Sequence, residues 1–177
     1  EHISWAFTSY LLAATVASPL FGKLGDMYGR KLILQIGIGI FLAGSLLAAI
    51  APNLPLLVLC RFIQGLGGGG LIVTAMAAIG DVLPPRERGK AQGFIGAAFG
   101  VSTVIGPLIG GVIVEALSWR WLFLVNVPIG ILAFTVISMV FKSPVGGTRR
   151  KVDYVGATLL TTALSAFVIY ASIGGTV

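Results

Sequence analysis

The stretch Gly22-Lys23-Leu24-Gly25-Asp26-Met27-Tyr28-Gly29-Arg30-Lys31 packs four charges and three glycines between two long runs that carry no charge at all. It reads as a tight loop between two helices on one face of a membrane, with Gly22, Gly25 and Gly29 supplying backbone conformations that a side chain would block. Asp26 precedes Arg30 by four residues, so a single helical turn would bring carboxylate and guanidinium onto one face to pair. The plainer alternative is a charged connection that only orients the protein, since such loops are common where helices leave a bilayer.

Outward from this stretch the chain is overwhelmingly apolar: 56% hydrophobic residues, 10% charged residues and a mean hydropathy of +1.00. Those values exclude an ordinary soluble domain and point to an integral membrane protein. A hydrocarbon core of about 30 Å takes roughly 20 apolar residues of helix to cross. Six runs meet that need, over 3–21, 32–51, 56–82, 91–116, 121–141 and 154–174. The fold class is therefore an all-α, polytopic membrane helix bundle with six transmembrane helices.

The net charge of +6 would suit a nucleic-acid partner if it formed a surface patch, but it does not. Ten of the twelve Lys and Arg residues sit in three connections, 22–31, 84–90 and 142–152, whereas the alternate connections hold only Arg120. That bias places the three basic loops on the cytoplasmic side, so the first run enters from the outer face. Cys60 is the single cysteine and His2 the single histidine, which leaves no disulfide and no metal site to build. No nucleophile–base constellation supports an enzyme. With neither an initiating Met nor a polar tail, the sequence reads as a piece of a longer protein.

Within the runs, five features stand out. Arg61 is the one charge well inside an apolar segment, and Gln64 and Gly65 follow one turn later. An arginine at mid-bilayer costs about 2.5–3.5 kcal/mol on insertion scales, so it faces either a polar partner or cavity, or it snorkels to the outer interface near Pro55. Gly65-Leu66-Gly67-Gly68-Gly69-Gly70 spells the dinucleotide fingerprint, but it lies inside a helix without the strand that motif requires, so it reads as a packing or bending device. Asp81 closes the third run at the negative end of the helix dipole and calls for a cation, either Arg30 or Arg86. In the fourth run Gly96 and Gly100, then Gly106 and Gly110, fall four apart, with Pro107 removing the hydrogen bond to the carbonyl of residue 103. A kinked, glycine-faced helix of this kind is either a pivot between helix groups or a plain packing face. Trp119-Arg120-Trp121-Leu122-Phe123 marks an outer interface, and Asn126 and Pro128 open the fifth run. No carboxylate lies at mid-membrane.

Three of these stretches, taken in order, resemble the signature motifs of the major facilitator superfamily of secondary transporters. Gly22, Leu24, Asp26, Gly29, Arg30 and Lys31 match its first motif, the gating loop that also takes in Gly25. Leu57, Arg61, Gln64, Gly65 and Gly67 look like its second, and Gly106-Pro107-Leu108-Ile109-Gly110-Gly111 is similar to the antiporter motif, with Ser102 where glycine is common. The Trp119–Phe123 and Asn126–Gly130 stretches, with Asp153 and Gly156 opening the sixth run, resemble the fourteen-helix branch of drug:proton antiporters.

The resemblance implies helices two to seven of fourteen. On that plan residues 1–152 are an N-terminal bundle lacking its first helix, and 153–177 are a linker transmembrane helix between two bundles. It further implies proton-coupled export of small amphipathic or cationic compounds, with Arg61 and Gln64 as proton-coupling candidates, Asp81 as charge partner of the gating loop, and Gly106, Pro107, Gly110 and Gly111 as the antiporter helix. The partners are a lipid bilayer, protons, a small-molecule substrate and the remainder of the same transporter, in the plasma membrane. The proton gradient stands in place of a cofactor. The alternatives are a facilitator or importer of another solute on the same fold, or a truncated membrane interaction piece that moves nothing.

Overall fold

Inside a bilayer every backbone N–H and C=O must find its partner within the chain, and apolar runs satisfy this by coiling into helices. The computed structural model describes residues 3–141 and 154–174, and every element among them is helical. The basic connection expected over 142–152, Asp153 and His2 lie outside the described residues. The helices are α1 (Ile3–Tyr28), α2 (Arg30–Ala49), α3 (Leu54–Val82), α4 (Pro85–Ala116), the single turn α5 (Trp121–Leu124), α6 (Asn126–Val140) and α7 (Tyr154–Gly174).

Four stretches are long and apolar enough to cross a membrane: α2, α3, α4, and α5 with α6 over Trp121–Val140. The first and last of the six expected runs are helical as well, α1 over 26 residues and α7 over 21. α1 carries Lys23 and Asp26 at its end, beyond its apolar run, and Thr158–Ala171 is the apolar stretch among the described residues of α7.

Two expected loops are not loops. α1 runs on through Gly22 and Gly25 to Tyr28, and α2 starts at Arg30, so the break between them is Gly29 alone. Gly29 has φ 95°, the one positive φ among the described residues, and this is where the absence of a Cβ is needed. Around it the backbone ladder scarcely lapses: Gly29 N–H bonds the Gly25 carbonyl at 3.0 Å and Ile33 N–H bonds Gly29 O at 3.3 Å. The connection expected over 84–90 is likewise helical from Pro85, because a proline in the first turn lacks only an N–H that would have had no helical partner there. The fifth run, by contrast, breaks at Val125. Pro128 has no N–H for the carbonyl of Leu124, four residues earlier, which is where α5 stops.

The core is α1, α2 and α3, with α6 laid along α2 and α7 beside α1. α1 and α3 run parallel, and their interface is made from small residues. Ala13 and Ala17 are buried opposite the glycine cluster of α3. A Cβ at Gly65 would sit 2.9 Å from Ala13 Cβ, and one at Gly69 would stand 2.6 Å from the Ala14 carbonyl carbon. The glycines thus let two backbones touch, which is what drives helix association where lipid removes the hydrophobic incentive. Ser9 Oγ donates to Val58 O at 3.1 Å and Ser18 Oγ to Gly69 O at 3.0 Å, tying the same pair of helices.

Around the fourth helix the described residues leave the glycine face open. Among the described residues α4 touches α3 and α5, its neighbours in sequence, and none of its residues is buried. A Cβ at Gly106 or Gly111 meets nothing within 4 Å, and one at Gly110 meets only Leu122 Cδ2 at 3.8 Å. Small residues permit close approach, but no other described helix approaches them. The helix runs without a break through Pro107.

Candidate functional site

Two arginine-centred clusters sit toward opposite ends of α3. Arg61 and Asp81 are twenty residues apart, about 30 Å of helix, the thickness of a hydrocarbon core.

At the Gly29 end, Arg30 uses its whole fork. Its Nε donates to Asp81 Oδ2 at 3.0 Å, its Nη1 to the Gly22 carbonyl at 3.0 Å, and its Nη2 to Asp26 Oδ1. Because Gly29 turns the chain within one residue, the first side chain of α2 is thrown back across the last turns of α1 and reaches α3. Gly25 clears its path: a Cβ there would stand 2.8 Å from Arg30 Nη1. Gly22 contributes a carbonyl and not a turn. A planar guanidinium with five donors suits two carboxylates and a carbonyl at once, as a lysine would not. Asp81, at the unfavourable end of the α3 dipole, therefore takes Arg30 as its partner, while Arg88 Nε caps the Leu83 carbonyl at 3.0 Å. The Arg30 side chain is only 14% exposed, whereas those of Asp26 and Asp81 are about half exposed. The ion pairs hold geometry more than they add stability. Lys31 turns elsewhere: its Nζ donates to Ser138 O at 2.7 Å, one of the last carbonyls of α6, and Gln35 Nε2 donates to Ser138 Oγ at 2.8 Å.

Toward the other end, Arg61 points inward. Its Nη1 donates to Gln64 Oε1 at 2.6 Å, one turn deeper in α3, and its Nε reaches the Ala6 carbonyl at 3.4 Å. The guanidinium carbon lies 4.3 Å from the centre of the Tyr10 ring and 5.8 Å from that of Phe123, cation–π partners that hold a charge without a counter-ion. Gln64, 2% exposed, passes the contact on through Nε2 to Ser45 Oγ at 2.6 Å. The ion pairs among the described residues are both made by Arg30.

Arg30, Asp26 and Asp81 are brought together, and so are Arg61 and Gln64. Gly106, Pro107, Gly110 and Gly111 join neither group. Ser45, Tyr10, Lys31's contact with Ser138 and the role of Asn126 were not anticipated from sequence. The available signal was polarity: past its opening Arg30 and Lys31, α2 offers only Gln35 and Ser45 as polar side chains, and both are hydrogen-bonded to other helices.

Long apolar helices packed through small residues, with charges gathered at helix ends, define an integral membrane helical protein. The profile of the Major Facilitator Superfamily matches residues 1–176, and the chain belongs to that family of membrane transporters. It is 40% identical over 175 residues to Multidrug resistance protein 3 of Bacillus subtilis (strain 168), a match covering 99% of this chain and 34% of that protein. It is 37% identical over 173 residues to the Multidrug transporter protein MdtP of the same organism, covering 98% and 32%. Among solved structures, the inward open conformation of the xylose transporter XylE from E. coli superposes with a TM-score of 0.71 at 19% identity, over 93% of this chain and 45% of that one. That likeness shows the fold. The chain spans about a third of the length of these two Bacillus relatives.

Proposed function

We propose that the transporter to which these residues contribute exports small amphipathic or cationic compounds in exchange for protons, on the fourteen-helix multidrug efflux plan. The observation that carries this reading is Arg61: a permanent cation inside an apolar helix, held by an amide, a carbonyl and two rings and by no carboxylate among the described residues. Neutral partners leave its charge uncompensated. An acid brought within about 4–6 Å of it is favoured in its charged form and gives up a proton, and an acid withdrawn from it takes one back. Alternating movement of helix bundles past each other would supply that approach and withdrawal. Sequence identity to Multidrug resistance protein 3 and Multidrug transporter protein MdtP of Bacillus subtilis supports the substrate class. In this reading the Arg30 cluster is the cytoplasmic gate, α1 to α7 supply six spans, residues 1–152 belong to the N-terminal bundle, 153–177 form the linker helix, and the protein resides in the plasma membrane.

The test uses the full-length protein in inside-out vesicles supplied with a fluorescent cationic drug in the outer medium. Arg61→Ala abolishes accumulation driven by an imposed pH gradient while drug binding persists, and Arg61→Lys retains part of the activity. Accumulation by Arg61→Ala equal to that of the parent refutes the reading.

A further inference from the structure

α6 lies on α2 along a stripe of positions spaced in multiples of four. Asn126 meets Ser45, Gly130 meets Leu42, whose Cγ would be 2.9 Å from a Cβ at 130, and Ser138 meets Gln35 and Lys31. The first of these contacts joins the chain of hydrogen bonds that ends at Arg61. Asn126 Nδ2 donates to Ser45 Oγ at 3.1 Å, Gln64 Nε2 donates to the same oxygen at 2.6 Å, and Gln64 Oε1 accepts from Arg61 Nη1 at 2.6 Å. We propose that Asn126 is a positioning residue for Arg61, acting from α6 through Ser45 of α2 and Gln64 of α3. This rests on the reading of Arg61 as the coupling cation.

The polarity of the chain leaves one arrangement. A guanidinium only donates, so Gln64 must turn its carbonyl to Arg61, and its NH2 then faces the other way and needs an acceptor. Ser45 Oγ is that acceptor. A hydroxyl has two lone pairs and one proton. With Gln64 on one lone pair and Asn126 on the other, its proton is directed away from both amides. Without Asn126 the hydroxyl is free to rotate and donate to Gln64, which turns the Gln64 NH2 onto a cation. Ser45 is 0% exposed and Gln64 2%, so water does not substitute for a lost partner, and low polarity makes each bond count. The relay is short because α2 and α3 touch here: a Cβ at Gly44 would stand 2.5 Å from Gln64 N. A shift of α6 against α2 is thereby felt at Arg61.

Asn126 Nδ2 also lies 3.4 Å from the Leu122 carbonyl, so a purely local role at the α5–α6 junction is the competing account. The full-length protein labelled with 15N-arginine separates the two, with the Arg61 Nε–H resonance assigned by its loss in Arg61→Lys. Asn126→Leu, similar in size without the donor, shifts that resonance; Ser45→Ala shifts it too; and the double variant shifts it no further than Ser45→Ala alone. Asn126→Gln restores part of the parental position. Maximal transport rate falls about two- to tenfold in Asn126→Leu, the worth of one hydrogen bond, with substrate KM unchanged. Asn126→Ala serves in the same cycle if the leucine variant does not fold. An Arg61 resonance unmoved by loss of the Asn126 donor, or shifts that simply add, overturns the proposal. If the parent transports without regard to the pH gradient yet the resonance responds as described, the relay stands and the coupling role of Arg61 falls.

Discussion

Gly44→Ala is the most direct probe of how this bundle is held together. The new methyl carbon would stand 2.5 Å from Gln64 N, 2.7 Å from Gln64 Cα and 2.8 Å from Gln64 Cβ. Two of these atoms are backbone and cannot swing aside. Restoring an ordinary contact of roughly 3.5 Å requires α2 to retreat from α3 by about 1 Å. Overpacking of this kind costs about 1–3 kcal/mol, and the same retreat stretches the bond from Gln64 to Ser45. A glycine-to-alanine change also raises helix propensity by roughly 1 kcal/mol, which opposes the loss. Gly39→Ala isolates that second effect, because Gly39 lies on the same helix with nothing within 4 Å of its virtual Cβ. In SDS-induced unfolding of the purified full-length protein, followed by tryptophan fluorescence, Gly44→Ala is expected to be less stable than Gly39→Ala by about 1–3 kcal/mol. Equal stability of the two variants would refute the claim that α2 and α3 pack backbone to backbone.

Asp81→Asn is expected to cut transport sharply while lowering stability by less than about 1 kcal/mol, since the carboxylate is about half exposed; a variant that transports normally removes any functional weight from the pair. Exchanging the charges, Arg30→Asp with Asp81→Arg, should not restore activity, because it sets a second carboxylate beside Asp26 and leaves the Gly22 carbonyl without its donor. Met27→Cys should label only from the cytoplasmic side, and labelling of intact cells by an impermeant thiol reagent would invert the proposed topology. Gly110→Ala should stay within about 0.5 kcal/mol of the parent in stability, whereas Gly67→Ala, whose methyl would stand 2.6 Å from the Gly37 carbonyl oxygen, should be clearly less stable. Comparable losses at both positions would show that α4 is packed more tightly than its open surface indicates.

Apolar run length and charge placement determined the helical membrane class and the ends of most helices, because a bilayer leaves the backbone few ways to satisfy itself. The spacing of Asp26 and Arg30, and the exposed dipole end at Asp81, were enough to nominate the ion cluster, although Asp26 and Arg30 meet across the turn at Gly29 and not within one helical turn. What tertiary structure alone decided was contact between helices distant in sequence. A glycine reads the same in α3 and in α4, yet Gly69 is pressed against Ala14 while Gly106 and Gly111 meet nothing among the described residues; only the neighbour's position separates them. Gly22 and Gly25 looked like turn formers and serve as a carbonyl acceptor and a clearance for Arg30, because one glycine with φ 95° was sufficient to turn the chain. Ser45 and Asn126 are eighty-one residues apart, and no periodicity within either helix announces that they share a hydrogen bond. Side-chain polarity marks such residues as needing partners, and the packing of α2, α3 and α6 determines which partners they find.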